Sequence, residues 1–475
     1  MTTRMDAEIQ SLNALATEVV ERARKGGADV AEAVARSGSH LSTKVRMGEP
    51  DPVTKARMGE PELVEEAAYR GLGMRVIKQG RVALTSTSDL TPRGIDRFVK
   101  DALELVDLSQ EDPFAGPADP DLLAKGALPD LDLYDPEGGE VTAAQALELA
   151  LRGEKAAFDA DPRITNSDGT TFSRAAGAFA IVLSSGFSGG YASSYSSLVV
   201  VPVAEDEGGK KRRGHHYTAK RYLKELDTPE AVGREATRRT LRKLGSKKVP
   251  TCEAAVVFDP DAARSILGLM AGCIMGSAIW RKSSYLIGRE GTKVASDLIT
   301  IVDDPFLLRA LGSRPFDGEG LASRKHVVVE QGVLKTYLCD SYSARKLGRA
   351  STANASRGAS GGVGPSTTNF ILQPTSTPAA EIVKSTKRGL YVTDMMGLAF
   401  NALTGDFSRG ASGFWIEDGE LTFPVSEVTI SLNIDDLWQR IDAVGDDLDL
   451  RSSTASPTLR VSSMTIAGTS ENAAE

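Results

Sequence analysis

The sequence predicts an α+β protein: an N-terminal helix/antiparallel-sheet domain, then a β-rich C-terminal domain built round one buried helix. Three observations predict it. Residues 8–25 place apolar side chains at helical spacing and end near a glycine, as an amphipathic helix does. Residues 28–46 and 66–88 alternate in character, the latter about Gln79-Gly80, as a hairpin does. Ile266 to Trp280 runs without a charge among strand-like segments.

The remaining elements follow in order. Thr91-Pro92 opens a second helix running to about Leu108, since proline is tolerated in a first turn, where its missing N–H would lack a partner anyway. A Pro- and Asp-rich connector at about 109–137 leads to a helix at 142–160. Strand-like runs occupy 176–185, 195–204, 253–258, 326–339, 412–424 and 427–433. Glu330-Gln-Gly-Val333 and Ile416-Glu-Asp-Gly-Glu420 read as hairpins, the second through Asp-Gly. Residues 350–368 are small, polar and glycine-rich, which predicts a mobile loop.

The uncharged stretch belongs to a helix predicted over about 259–280. It is too short to span a membrane, which takes roughly 18 or more apolar residues. Being apolar all round, it is expected to be buried all round. Gly268, Gly272 and Gly276 recur every fourth residue, which predicts a smooth stripe seated against another backbone. The domains are placed at 1–220 and 221–475. Within the first, Lys44-Val-Arg-Met-Gly-Glu-Pro50 recurs as Lys55-Ala-Arg-Met-Gly-Glu-Pro61, read as a local duplication in a surface loop.

Composition narrows the function. Of 475 residues, 56 are Lys or Arg and 64 Asp or Glu, a net charge of -8. An evenly acidic surface argues against nucleic acid, whose phosphates need a positive face. Three cysteines, Cys252, Cys273 and Cys339, contain no CxxC pair and fit a reducing compartment. No apolar stretch follows a basic one at the N-terminus, so neither a signal peptide nor a membrane partner is expected, and a cytoplasmic location is.

Catalytic motifs are sparse. Gly186-Phe-Ser188-Gly-Gly190 matches G-x-S-x-G, but a nucleophile elbow leads into a helix. Here strand-like sequence follows, so a glycine-rich hairpin is the favoured reading over a serine hydrolase using Ser188. The histidines, His40, His215, His216 and His326, form no HExxH pattern. His215 and His216 follow the basic run Lys210–Arg213 and read as a solvated loop tip. No glycine-rich phosphate loop follows a strand.

Against this, several segments resemble one family in order and spacing. They are Arg163-Ile-Thr-Asn-Ser-Asp-Gly169, Trp280-Arg-Lys-Ser-Ser-Tyr285 and Pro315-Phe-Asp-Gly-Glu-Gly320. Asp340–Gly348, Thr404–Glu417, Pro424–Ile430 and Ala443–Leu448 continue the series. Together they resemble the TldE (PmbA) branch of the TldD/TldE metallopeptidase family across nearly the whole chain.

The resemblance implies a C-terminal domain of bent antiparallel sheet wrapped round a central helix. It also implies a heterodimer with a TldD-type subunit that cleaves small or unfolded peptides. TldD-like subunits carry HExxxH on that helix and a further zinc ligand at a cysteine near the C-terminus. This chain has Leu267-Gly-Leu-Met-Ala-Gly272 there and no cysteine after Cys339. The resemblance therefore implies no catalytic residue and no metal in this chain, with zinc in the partner subunit. Candidate peptide-channel residues are Arg281, Lys282, Ser283, Asp406, Ser408 and Arg409; Arg281 and Arg409 would bind peptide carbonyls or a C-terminus, or else form structural ion pairs. The alternatives are a stand-alone peptide-binding or regulatory protein, and a homodimer of the isolated chain. The eleven-residue repeat departs from the family pattern, which has one copy.

Overall fold

A computed structural model describes residues 4–46 and 61–469. In chain order the N-terminal elements are α1 (Arg4–Lys25), β1 (Val30–Val45), β2 (Pro61–Lys78), β3 (Arg81–Thr87), α2 (Pro92–Leu108) and α3 (Ala143–Ala160). Then come β4 (Ile164–Leu183), β5 (Phe187–Glu205), β6 (Lys211–Arg213), β7 (His216–Lys220) and α4 (Pro229–Leu241). The strands form one antiparallel sheet in the order β3-β2-β1-β4-β5-β6, with β7 also on β5.

Alternation along the strands gives this sheet two faces. α1 and α2 cover one face, burying Leu12, Val19, Phe98 and Val106 against Ala33, Ala35, Ala178 and Ala180. Farther along the sheet, α3 and α4 pack on Leu41, Phe172, Leu198 and Val200. The opposite face carries Glu32, Arg36, Phe179 and Tyr191 and meets the C-terminal half, where Phe316 and Leu321 pack on Ile181, Leu183 and Phe187. Local chemistry sets the helix starts: Thr91 accepts the Gly94 N–H at 3.1 Å, and Thr142 with Gln145 forms a capping box.

The C-terminal elements that matter below are β8 (Cys252–Phe258), α5 (Pro260–Cys273), α6 (Gly276–Trp280), α7 (Ser341–Lys346), β9 (Arg388–Met396), β10 (Asp406–Glu417), β11 (Glu420–Asn433) and β12 (Leu459–Ala467). The strand order β11-β10-β9-β8-β12 closes on itself through β11–β12 pairing, forming a barrel. One pair in the ring, β8–β9, runs parallel; its other pairs are antiparallel. The largest core cluster joins Ile266, Leu267 and Met270 of α5 to Phe258, Val392, Trp415 and Val461 of the ring.

The three expected hairpins close on paired positive-φ residues, Gln79-Gly80, Gln331-Gly332 and Asp418-Gly419, the backbone that matches strand twist in a two-residue turn. Strand structure over 326–339 is limited to His326–Glu330 and Val333–Leu334. The expectation of a mobile loop at 350–368 is corrected: Ser351 to Ala355 and Arg357 are buried. Asp303 anchors the segment by accepting from Asn354 Nδ2 at 2.7 Å and from the Thr368 N–H at 2.6 Å, and Arg357 pairs with Glu32 at 2.6 Å. Small residues are there because the segment threads between the two halves. Of the duplicated heptads, residues 47–60 lie outside the described residues, so the surface-loop reading does too.

Candidate peptide-binding face

Asp259 starts α5. Its carboxylate accepts the Ala262 N–H at 2.8 Å, and its own N–H donates to the Val392 carbonyl at 3.0 Å, fixing the helix to β9. Burial pushes the Asp259 carboxyl up to about 7, with the neighbouring Asp261 and Asp394 adding to the rise.

From there the single buried helix expected over 266–280 divides in two. Ile274 donates to Met270 and ends α5, and the Leu338 backbone enters at the break, where the Gly276 N–H donates to the Leu338 carbonyl at 2.7 Å. At Gly276 the close approach is real: a Cβ would lie 2.6 Å from Cys339 Sγ. At Gly268 and Gly272 it is not. Both are exposed, and a Cβ on either would meet nothing within 4 Å. The expectation of burial on every side is thus corrected for one face. The physical reason is that Ile266, Leu267, Met270 and Cys273 already fill the barrel side of the helix.

Ser265, Gly268 and Gly272 share that open face by their spacing of three and four. Arg409 borders it, donating from Nη1 to Ser265 Oγ at 3.0 Å. Arg409 is only 9% exposed, no carboxylate among the described residues pairs with it, and its Nε has no partner. Burial lowers its pKa from the usual arginine value. Of its neighbours on β10, Asp406 is exposed and accepts from Thr404 Oγ1 at 2.7 Å, and Ser408 is exposed, its N–H donating to the Ala399 carbonyl at 3.1 Å. That bond folds the 397–404 loop onto the strand and leaves Met396, Leu398 and Leu403 exposed, Leu398 at 88%.

The 281–283 segment is placed separately. Arg281 stacks on Trp280 at 5.0 Å, and Trp280 also meets Tyr342 and Lys346 of α7. Lys282 takes a positive φ of 57°, and Ser283 Oγ donates to the Ala278 carbonyl at 3.2 Å. All three are exposed. No hydrogen bond or ion pair among the described residues joins them to 406–409; the link is indirect, from the Tyr285 N–H to the Ala402 carbonyl at 2.7 Å. Sequence reasoning missed Ser265 and the exposed apolar side chains of Met396, Leu398 and Leu403. Their signal was available: residues 395–403 are almost wholly apolar without alternation.

The other sequence candidates fall elsewhere. Ser188 follows a turn at Gly186 into β5, and its hydroxyl donates to Asn13 Oδ1 at 3.2 Å, so the hairpin reading holds. His326 Nε2 lies 2.7 Å from the Thr352 carbonyl, and burial lowers His216 to about 4. Among the described residues no group of three or more His, Cys, Asp or Glu side chains could hold a metal ion. On the open face of α5 the polar groups are a hydroxyl and a guanidinium, which do not fit a zinc site.

Three family models match the chain in succession: the PmbA/TldA metallopeptidase domain 1 at residues 31–106, the central domain at 136–244 and the C-terminal domain at 251–468. The metalloprotease PmbA of Escherichia coli O157:H7 is 40% identical over 397 residues, 84% of this chain and 85% of that protein. The chain belongs to the PmbA/TldE branch of the PmbA/TldD metallopeptidase family. Among solved structures, a putative modulator of DNA gyrase from Bacteroides thetaiotaomicron superposes with a TM-score of 0.88 at 29% identity, covering 99% of this chain and 100% of that one. TldE from Thermococcus kodakarensis shares the fold, with a TM-score of 0.84 at 21% identity over 96% of this chain and 100% of that one. The C-terminal family domain contains both α5 and β10, so the open face and Arg409 lie within one family unit.

Proposed function

We propose that this chain is the non-metal-binding subunit of a TldD/TldE-type peptidase complex that cleaves small or unfolded peptides, with zinc held by the TldD-type partner. The observation that carries the reading is the open face of α5. Where the resemblance places HExxxH, the helix carries Leu267, Gly268 and Gly272, yet the two glycines are left accessible. A helix face that has no ligands and is nevertheless uncovered suits a wall of a chamber completed by another subunit.

In this reading the unpaired Arg409 guanidinium gives a charge-assisted hydrogen bond to a peptide carbonyl or C-terminal carboxylate. Met396, Leu398 and Leu403 give apolar contact to the peptide or the partner. Paralogous subunits of one fold associate through equivalent surfaces, as identical ones do. A cytoplasmic location belongs to the same reading and is supported by three unpaired cysteines. Among the described residues no helix is long and apolar enough to cross a membrane.

Metal analysis together with size exclusion tests the proposal. The purified chain is expected to hold no stoichiometric zinc and to co-elute one to one with a TldD-type subunit of the same organism. About one tightly held zinc per chain, or separate elution at micromolar concentrations, would overturn it.

A further inference from the structure

A second feature lies in different elements from α5 and β10. Between the C-terminal-facing side of the N-terminal sheet and segments 314–318 and 356–357 is a cavity of ≈ 280 Å³. Its floor is cross-strand rows of β1, β4 and β5. Arg36, Phe179 and Tyr191 form one row; in the next, the Tyr69 side chain of β2 lies across Gly38, and Gly177 and Ser193 line the floor. Phe316 meets Tyr191 at 5.5 Å and Phe179 at 6.1 Å, so one wall is aromatic.

The remaining wall is cationic. Arg36, Arg221, Arg314 and Arg357 all line the cavity. Arg357 is spoken for, by Glu32 at 2.6 Å and the Gly318 carbonyl at 2.6 Å. Arg221 donates to the carbonyls of Ser194, Ala310 and Leu311. Arg36 donates from Nη2 to the Arg357 carbonyl, and Arg314 from Nη1 to Ser366 Oγ at 3.3 Å. Arg36 Nε, Arg314 Nε and Arg314 Nη2 are buried with no partner. Among the described residues no carboxylate forms an ion pair with Arg36, Arg221 or Arg314.

Asp317 is the acid that lines the cavity. Its oxygens are occupied by the N–H groups of Glu319 at 2.8 Å, Leu321 at 3.0 Å and Ala355 at 3.0 Å. Burial raises its pKa, against the opposing pull of the nearby Arg314 charge and of those three N–H groups. Burial also lowers the pKa of Arg36 and Arg221, as it does for a charge removed from water without a counter-charge. Buried donors without partners are rare in folded proteins, and a guanidinium fork matches a carboxylate or phosphate.

We propose that this cavity binds a small oxyanion, a carboxylate or a phosphate, through Arg36 and Arg314. The proposal does not depend on the assembly proposed above.

The test is calorimetric titration of the full chain at constant ionic strength with three probes: inorganic phosphate, a tripeptide with a free C-terminal carboxylate, and the same tripeptide as its amide. The amide is expected not to bind, and at least one anion to bind with Kd on the order of 1 mM or tighter. Phosphate alone would identify a phosphate site and the free acid alone a chain-terminus site; either supports the proposal. Arg314→Met is expected to weaken binding at least about tenfold, while Arg388→Met, on an exposed arginine outside the cavity, leaves it unchanged. Ser193→Glu places a carboxylate within the cavity, so it is expected to raise the melting temperature and abolish binding, which keeps the test decisive if Arg314→Met misfolds. Binding of neither anion below roughly 10 mM, or affinity unchanged in both Arg314→Met and Ser193→Glu, would overturn the proposal.

Discussion

The two ends of one glycine-spaced stretch have opposite surroundings. Gly276 is pressed against Cys339 and the Leu338 backbone, whereas Gly268 and Gly272 look onto open space. Spacing of four residues aligns them in sequence, but the break at Ile274-Met275 turns Gly276 out of the helical register of the others. The difference teaches that a glycine stripe reports the lack of side chains and not its purpose. At one end the purpose is packing. At the other, on our reading, it is room for a substrate.

That contrast can be broken by substitution. Gly276→Leu should have the largest effect, lowering stability by about 3 kcal/mol, because a branched side chain must displace Cys339 and Ser343. Chemical denaturation measures this, and a wild-type midpoint would show that the break region yields more easily than its geometry implies.

Arg409→Met should leave the fold within about 1 kcal/mol of wild type, since an unpaired buried guanidinium contributes little net stability. In a reconstituted complex it should lower peptide turnover roughly tenfold, the effect of losing about 1.4 kcal/mol of transition-state stabilisation. An unchanged rate would remove Arg409 from the peptide-binding face.

The start of the same helix provides a pH test. Asp259 is raised to about 7 in the folded chain, above its unfolded value of 3.8. Between those values the folded chain keeps a proton that the unfolded chain has lost. The contribution of Asp259 to stability therefore falls as pH rises from about 4 to 7 and levels off above, while His216, lowered to about 4, gives an opposite slope over much of that window. Asp259→Asn keeps the helix cap and should flatten part of that slope. Glu319, also raised to about 7 by burial and by Asp317, supplies slope that remains. Thermal melts across pH 4–8 compare the two chains, and superimposable profiles would contradict the assignment.

The smallest effect belongs to Gly272→Leu. Its side chain enters open space and its helix propensity is better, so stability should stay equal or rise by up to about 1 kcal/mol. A marked loss would mean that the open face is covered in the isolated chain.

Much of the fold was legible because its signals are local. Helical spacing, the Thr91-Pro92 start and the Gln-Gly and Asp-Gly turns each act over a few residues, and each element formed where those signals stood. The closed barrel and the break at Ile274 were not legible from local pattern. Both depend on residues far apart in sequence, such as Leu338 inserting beside Gly276. The same holds for 350–368, whose small residues read as mobility but serve close packing between the halves. At the candidate site, Arg409 was legible through the family resemblance to Thr404–Glu417. Ser265 was not, since a serine on an apolar helix gives no sign of the arginine it will meet.

The central claim is that this chain completes a chamber whose metal lies in another subunit. Peptide hydrolysis by the chain, by a TldD-type subunit of the same organism, and by their mixture tests it most directly. The account predicts cleavage of an unfolded peptide by the mixture alone, abolished by a zinc chelator. Full activity from the TldD-type subunit without this chain, or zinc-dependent cleavage by this chain alone, would contradict it.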